Sequence, residues 1–88
     1  MKVLVLYRPN SEHGRLVEEF IRDYKRAGHS GEIEALNIDT REGSEKARLY
    51  DVVQYPSVMV TRNDGQVLRT WQGNILPLQN EVASYAFS

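Results

Sequence analysis

Eighty-eight residues, 41% hydrophobic and 26% charged, suffice for one compact domain with a radius of gyration of about 12 Å and leave no room for a second core. Eleven Lys and Arg against twelve Asp and Glu give a net charge of −1, which argues against a phosphate-tracking nucleic-acid binder or a polybasic membrane binder. The cysteine count of zero removes disulfides, thiolate nucleophiles and cysteine-ligated zinc together.

Val3 to Tyr7 is a continuous apolar, β-branched run stopped by Pro9 and Asn10. That pattern predicts a strand buried on both faces, hence central in its sheet. The run is far too short to cross a membrane and no small-residue cleavage site follows it, so a cytoplasmic protein without membrane contact is expected. Leu16, Val17, Phe20, Ile21 and Tyr24 then recur at helical spacing, opposite Glu18, Glu19, Arg22, Asp23, Lys25 and Arg26. In this helix Asn10 or Ser11 is expected to cap the first turn. Glu12 would complement the positive end of the dipole, and Gly28 would supply a left-handed exit.

Ile33 to Asp39 reads as a second strand, and a strand, helix, strand succession of this length makes the two strands parallel. Ser44 to Val52 predicts a short helix with Ala47, Tyr50 and Val52 turned inward and Gly43 weakening its start. Ser57 to Thr61 and Gln66 to Trp71 flank Asn63-Asp64-Gly65, a hairpin signal that makes these strands antiparallel. Alternation puts Trp71 on one face with Val67 and Arg69, and Leu68 and Thr70 on the other. Pro77 opens a last helix with Leu78, Val82, Tyr85 and Ala86 inward. The order is βαβαββα. No repeat, low-complexity tract or linker interrupts it, so a single domain spanning residues 1–88 is expected.

The stretch Leu36-Asn37-Ile38-Asp39, Ala47, Tyr50-Asp51-Val52 and Val53-Gln54-Tyr55-Pro56-Ser57-Val58 carries more than element order, together with Asp64-Gly65-Gln66-Val67 and Gly73. It resembles the thioredoxin segment that runs from the second core strand through the cis-proline to the glycine after the last strand. The whole chain is similar to the small, glutaredoxin-like form of that family. The resemblance implies an α/β, thioredoxin-like three-layer fold: a four-stranded mixed sheet with helices on both faces. It also implies a cis Tyr55-Pro56 bond, which an X-Pro link permits. A trans proline opening an edge strand is the plainer alternative.

In that family the redox motif follows the first strand. Here the stretch reads Pro9-Asn10-Ser11-Glu12-His13-Gly14, with Ser11 where the nucleophilic cysteine would stand and Gly14 where the resolving one would. Serine neither forms nor exchanges a disulfide, so dithiol exchange is excluded. His13 is expected to face solvent. It and His29 are too isolated to suggest a metal, and no cofactor is expected.

The resemblance places a binding cleft at Pro9, Asn10, Ser11, Glu12, His13, Gly14, Tyr55, Pro56, Gly73 and Asn74. The expected function is non-redox binding of a protein or an extended peptide, paired as an added strand beside the cis-proline. Two alternatives stand. One is a glutathione-binding or transferase-like protein in which the Ser11 hydroxyl stabilises a thiolate. The other is a structural module that self-associates through a sheet edge or aromatic patch.

Overall fold

The computed structural model describes the chain apart from Ser30, Asn74, Ile75 and Ser88, and apart from the side chains of Ala86 and Phe87. The apolar run at the start of the chain becomes β1 (Lys2–Tyr7), and Val3, Leu4, Val5 and Leu6 are all buried. A strand that hides four successive side chains needs cover on both faces and a neighbour on both edges. It has them. The sheet order is β2-β1-β3-β4, with β2 (Glu32–Asn37) parallel to β1, β3 (Ser57–Thr61) antiparallel to β1, and β4 (Val67–Gln72) antiparallel to β3.

Alternation along the strands sorts the interior into two cores. Val3 and Val5 share one face with Val58 and Val60, under Val17, Phe20 and Tyr24 of α1 (Gly14–Arg26) and Val82 of α3 (Gln79–Ala83). Leu4, Leu6 and Met59 take the other face with Ile38, Val52 and Ala47 of α2 (Arg41–Leu49). Burying a Val, Leu or Met side chain contributes about 1.5 to 3 kcal/mol, so neither layer is dispensable. The Cα radius of gyration is 12.0 Å. Among the described residues no helix is long and apolar enough to cross a membrane.

Element ends depart from the sequence expectations where side chains redirect the backbone. The second strand stops at Asn37 rather than Asp39, because the Asn37 Oδ1 accepts the Asp39 N–H at 2.9 Å and turns the chain. The next helix starts at Arg41 rather than Ser44, since Thr40 caps it by accepting the Gly43 N–H at 3.1 Å. Gly43 is needed there: a Cβ would lie 2.0 Å from the Asn37 carbonyl oxygen.

The same helix ends at Leu49, short of Val52, because Asp51 adopts a left-handed conformation (φ 55°). The Val52 N–H bonds the Ala47 carbonyl at 2.9 Å and the Asp51 N–H bonds that of Arg48 at 3.4 Å. This is a Schellman termination with aspartate where glycine is usual.

In β4, Leu68 packs on the α1 and α3 side with Trp71, not opposite it, because a bulge between Val60 and Thr61 resets the alternation. Leu78 is exposed rather than inward. It is the residue before α3, its N–H is bound by the Glu81 Oε1 at 3.2 Å, and the buried stripe begins only at Val82. The inward position expected for Ala86 lies outside the described side chains.

Candidate functional site

Register brings three distant stretches to one end of the sheet. Leu6 stands opposite Ser57, and Ser57 opposite Gln72. The chain leaving β1, the chain entering β3 and the chain leaving β4 therefore meet, carrying Arg8 to His13, Tyr55-Pro56 and Gly73. Asn74, also expected here, lies outside the described residues.

The loop after β1 folds back on itself before the helix begins. The Ser11 Oγ donates to the Arg8 carbonyl at 2.6 Å, and the Arg8 N–H donates to the His13 Nε2 at 3.2 Å. Both interactions correct the sequence expectation. Ser11 and Asn10 do not cap α1, whose N-cap is His13 with no side-chain cap bond, and Glu12 precedes the first turn. His13 is half-buried and acts as an acceptor for the loop backbone instead of facing solvent. Ser11 and His13 are each engaged with the backbone of Arg8, so they do not form a nucleophile and base pair.

Gly14 opens α1 and is buried. A Cβ there would lie 2.1 Å from the Pro9 carbonyl oxygen and 3.1 Å from that of Arg8. The position matching the resolving thiol is thus closed by backbone as well as lacking sulfur.

Across from this loop, the Tyr55-Pro56 bond is cis. The approach to it is held by one side chain: the Gln72 Oε1 accepts the N–H groups of both Val53 and Gln54, each at 3.2 Å. The Gly73 N–H bonds the Pro56 carbonyl at 3.1 Å, with Gly73 at φ 111°. The Tyr55 hydroxyl donates to the Val52 carbonyl at 3.3 Å and its ring packs on the α2-side core. Among the described residues, neither the amide nor the carbonyl of Tyr55 has a hydrogen-bond partner. Gln72 carried no sequence signal, since a glutamine ending a strand is ordinary until its acceptor is seen.

A groove of about 340 Å³ is lined by Arg8, Ala47, Arg48, Asp51, Val53 and Tyr55. Val53 on its lining is apolar and 79% exposed. The Arg8 Nε reaches the Asp39 Oδ1 at 3.2 Å in an exposed pair, worth about 1 kcal/mol at most. Two other hollows, of about 370 and 440 Å³, lie at the opposite end of the sheet, around Asn63 and His29. Burial, and secondarily the Glu18 carboxylate, hold the Tyr7 hydroxyl above the ordinary tyrosine range. Burial alone raises that of Tyr24. Among the described residues no three His, Asp or Glu side chains cluster closely enough to hold a metal ion.

Trp71 is half-buried. Its ring meets Tyr85 edge-on at 5.9 Å and lies under the Arg69 guanidinium at 5.1 Å.

No family model matches the sequence, and no curated protein matches it. Among solved structures the chain is similar to thioredoxin 1 from the thermophilic eubacterium Thermosipho africanus TCF52B. The two align with a TM-score of 0.71 and 13% identity, over 99% of this chain and 91% of that one. An identity that low speaks for the fold and not for the activity. A central β1 with parallel β2, an antiparallel β3 and β4, and helices on both faces thus make this a thioredoxin-like fold in a chain without cysteine.

Proposed function

We propose that this domain binds an extended segment of a partner protein, which pairs as an added strand with the backbone of Tyr55 beside Pro56. The observation that carries this reading is that, among the described residues, neither the amide nor the carbonyl of Tyr55 has a hydrogen-bond partner, on a residue that lines an open groove. Backbone polar groups left without partners are costly unless water or a ligand meets them, and one donor with one acceptor on a single residue is what strand addition uses. Val53, an exposed apolar residue lining the same groove, would give such a segment a side-chain contact.

Chemistry at the site supports binding over catalysis. The chain has no sulfur able to exchange a disulfide. The Ser11 hydroxyl already gives its proton to the Arg8 carbonyl, which speaks against its stabilising a glutathione thiolate.

The test is an amide-resolved NMR titration with acetylated, amidated peptides of alternating Thr and Val. Binding as proposed shifts the Tyr55 amide first, then those of Val53 and Gln54, and protects Tyr55 from exchange. Shifts confined to the hollows near Asn63 or His29 would overturn it. In parallel, glutathione at saturating concentration is expected to leave the Ser11 and Tyr55 amides unmoved.

A further inference from the structure

Asp51 is the one described non-glycine residue with positive φ. Left-handed backbone suits glycine, and aspartate accepts it only with residual strain. Its carboxylate also stands one residue past the C-cap of α2, where the carbonyl end of the helix disfavours an anion. Among the described residues the Asp51 side chain makes no hydrogen bond and no ion pair, although Arg48 lines the same groove. Two unfavourable local terms, an exposed carboxylate and a place on the wall of the groove that Tyr55 also lines coincide in one residue.

The cations of the same groove are explained without a ligand. Arg8 is answered by Asp39 at 3.2 Å, and Arg48 lies in the last turn of α2, where the dipole favours a positive charge. The carboxylate is the charge without a structural reason. A residue that weakens the fold at a binding surface is expected where recognition requires it.

We infer that Asp51 reads a cationic side chain, a Lys or Arg, on the segment that occupies the groove. This rests on the strand-addition reading above and adds the partner's chemistry to it: an extended, largely apolar segment carrying a basic residue.

The experiment uses heptapeptides of alternating Thr and Val, acetylated and amidated, with one Lys walked along the sequence and replaced by Gln or Glu in matched peptides. At the best position the Lys peptide should bind about three- to fivefold tighter than its Gln counterpart, the range of an exposed ion pair, and the Glu peptide more weakly still. The preference should shrink with added salt. Asp51→Asn, which tolerates the left-handed backbone, should bring the Lys-to-Gln ratio to about one. Equal binding of Lys and Gln peptides at every position, or a Lys preference that survives Asp51→Asn, overturns the role of Asp51 while the Tyr55 amide still shifts. If no peptide shifts the Tyr55 amide, the cleft reading falls and this inference with it.

Discussion

The carbonyl of Pro9 occupies the space that a side chain on Gly14 would need, 2.1 Å from where its Cβ would stand. Replacing glycine by alanine near a helix start ordinarily helps or does little, because glycine has the more flexible unfolded chain. Here the sign reverses. Gly14→Ala is expected to lose about 3 kcal/mol, since the obstacle is backbone and cannot rotate away. Gly14→Cys should behave alike, so Ser11→Cys with Gly14→Cys would not rebuild a working dithiol. Ser11→Cys alone should cost about 1 kcal/mol, the one hydrogen bond to Arg8. Urea denaturation separates the cases, and an unchanged midpoint for Gly14→Ala would contradict the packing.

Tyr24 is 1% exposed, and among the described residues its hydroxyl has no hydrogen-bond partner. Tyr24→Phe removes an unsatisfied polar atom and keeps the ring, so stability should be unchanged or rise by up to about 1 kcal/mol. Because burial raises the folded-state value, the native protein keeps this proton to higher pH than the unfolded chain. The stabilisation is therefore intact below about pH 10 and is lost as pH rises through the folded-state value. Denaturation midpoints between pH 8 and 11.5 should fall more steeply for the wild type than for Tyr24→Phe. Parallel curves would count against it.

Asp51 lends itself to a test of stability independent of any ligand. Asp51→Gly should gain about 0.5 to 1 kcal/mol by relieving both the left-handed backbone and the carboxylate at the helix end. Asp51→Ala relieves only the second and should gain less or lose. Thermal unfolding that ranked alanine above glycine would refute the conformational argument.

Gln72→Ala should act locally. Two donors on Val53 and Gln54 lose their common acceptor, at an expected cost of about 1 kcal/mol, and their amide exchange should quicken by about tenfold while β1 amides are unaffected. The same variant should weaken peptide binding at Tyr55, because the loop that presents it is no longer held. Exchange at Val53 and Gln54 equal to the wild type would show that water replaces the side chain without loss.

The parts of the fold that could be read from the sequence are those set by burial pattern. Val3 to Leu6 had to be central because neither face of that run is polar, and Asn63-Asp64-Gly65 had to turn because Gly65 takes the positive φ that few residue types accept. Helix starts were not legible. Ser11 is a good N-cap by composition, but the returning loop puts the Arg8 carbonyl 2.6 Å from its hydroxyl, and a donor bond there outcompetes capping. Leu68 changed faces through a single bulge residue, which alternation by itself does not reveal. At the candidate site, resemblance singled out Tyr55, Pro56 and Gly73, and what the structure adds there is backbone: a Tyr55 amide and carbonyl without partners among the described residues, and a glycine turned to positive φ. Side-chain identity carries little information about such groups.

The strict alternation of β1 has a consequence for how this chain can change. Val3 and Val5 belong to one layer, Leu4 and Leu6 to the other, so deleting any one residue of the strand would send leucines into the valine layer and valines into the leucine layer at once. Single substitutions in this segment injure one side of the molecule. A frameless slip by one position would empty and overfill both sides together, which makes the length of this six-residue strand harder to alter than any individual letter within it.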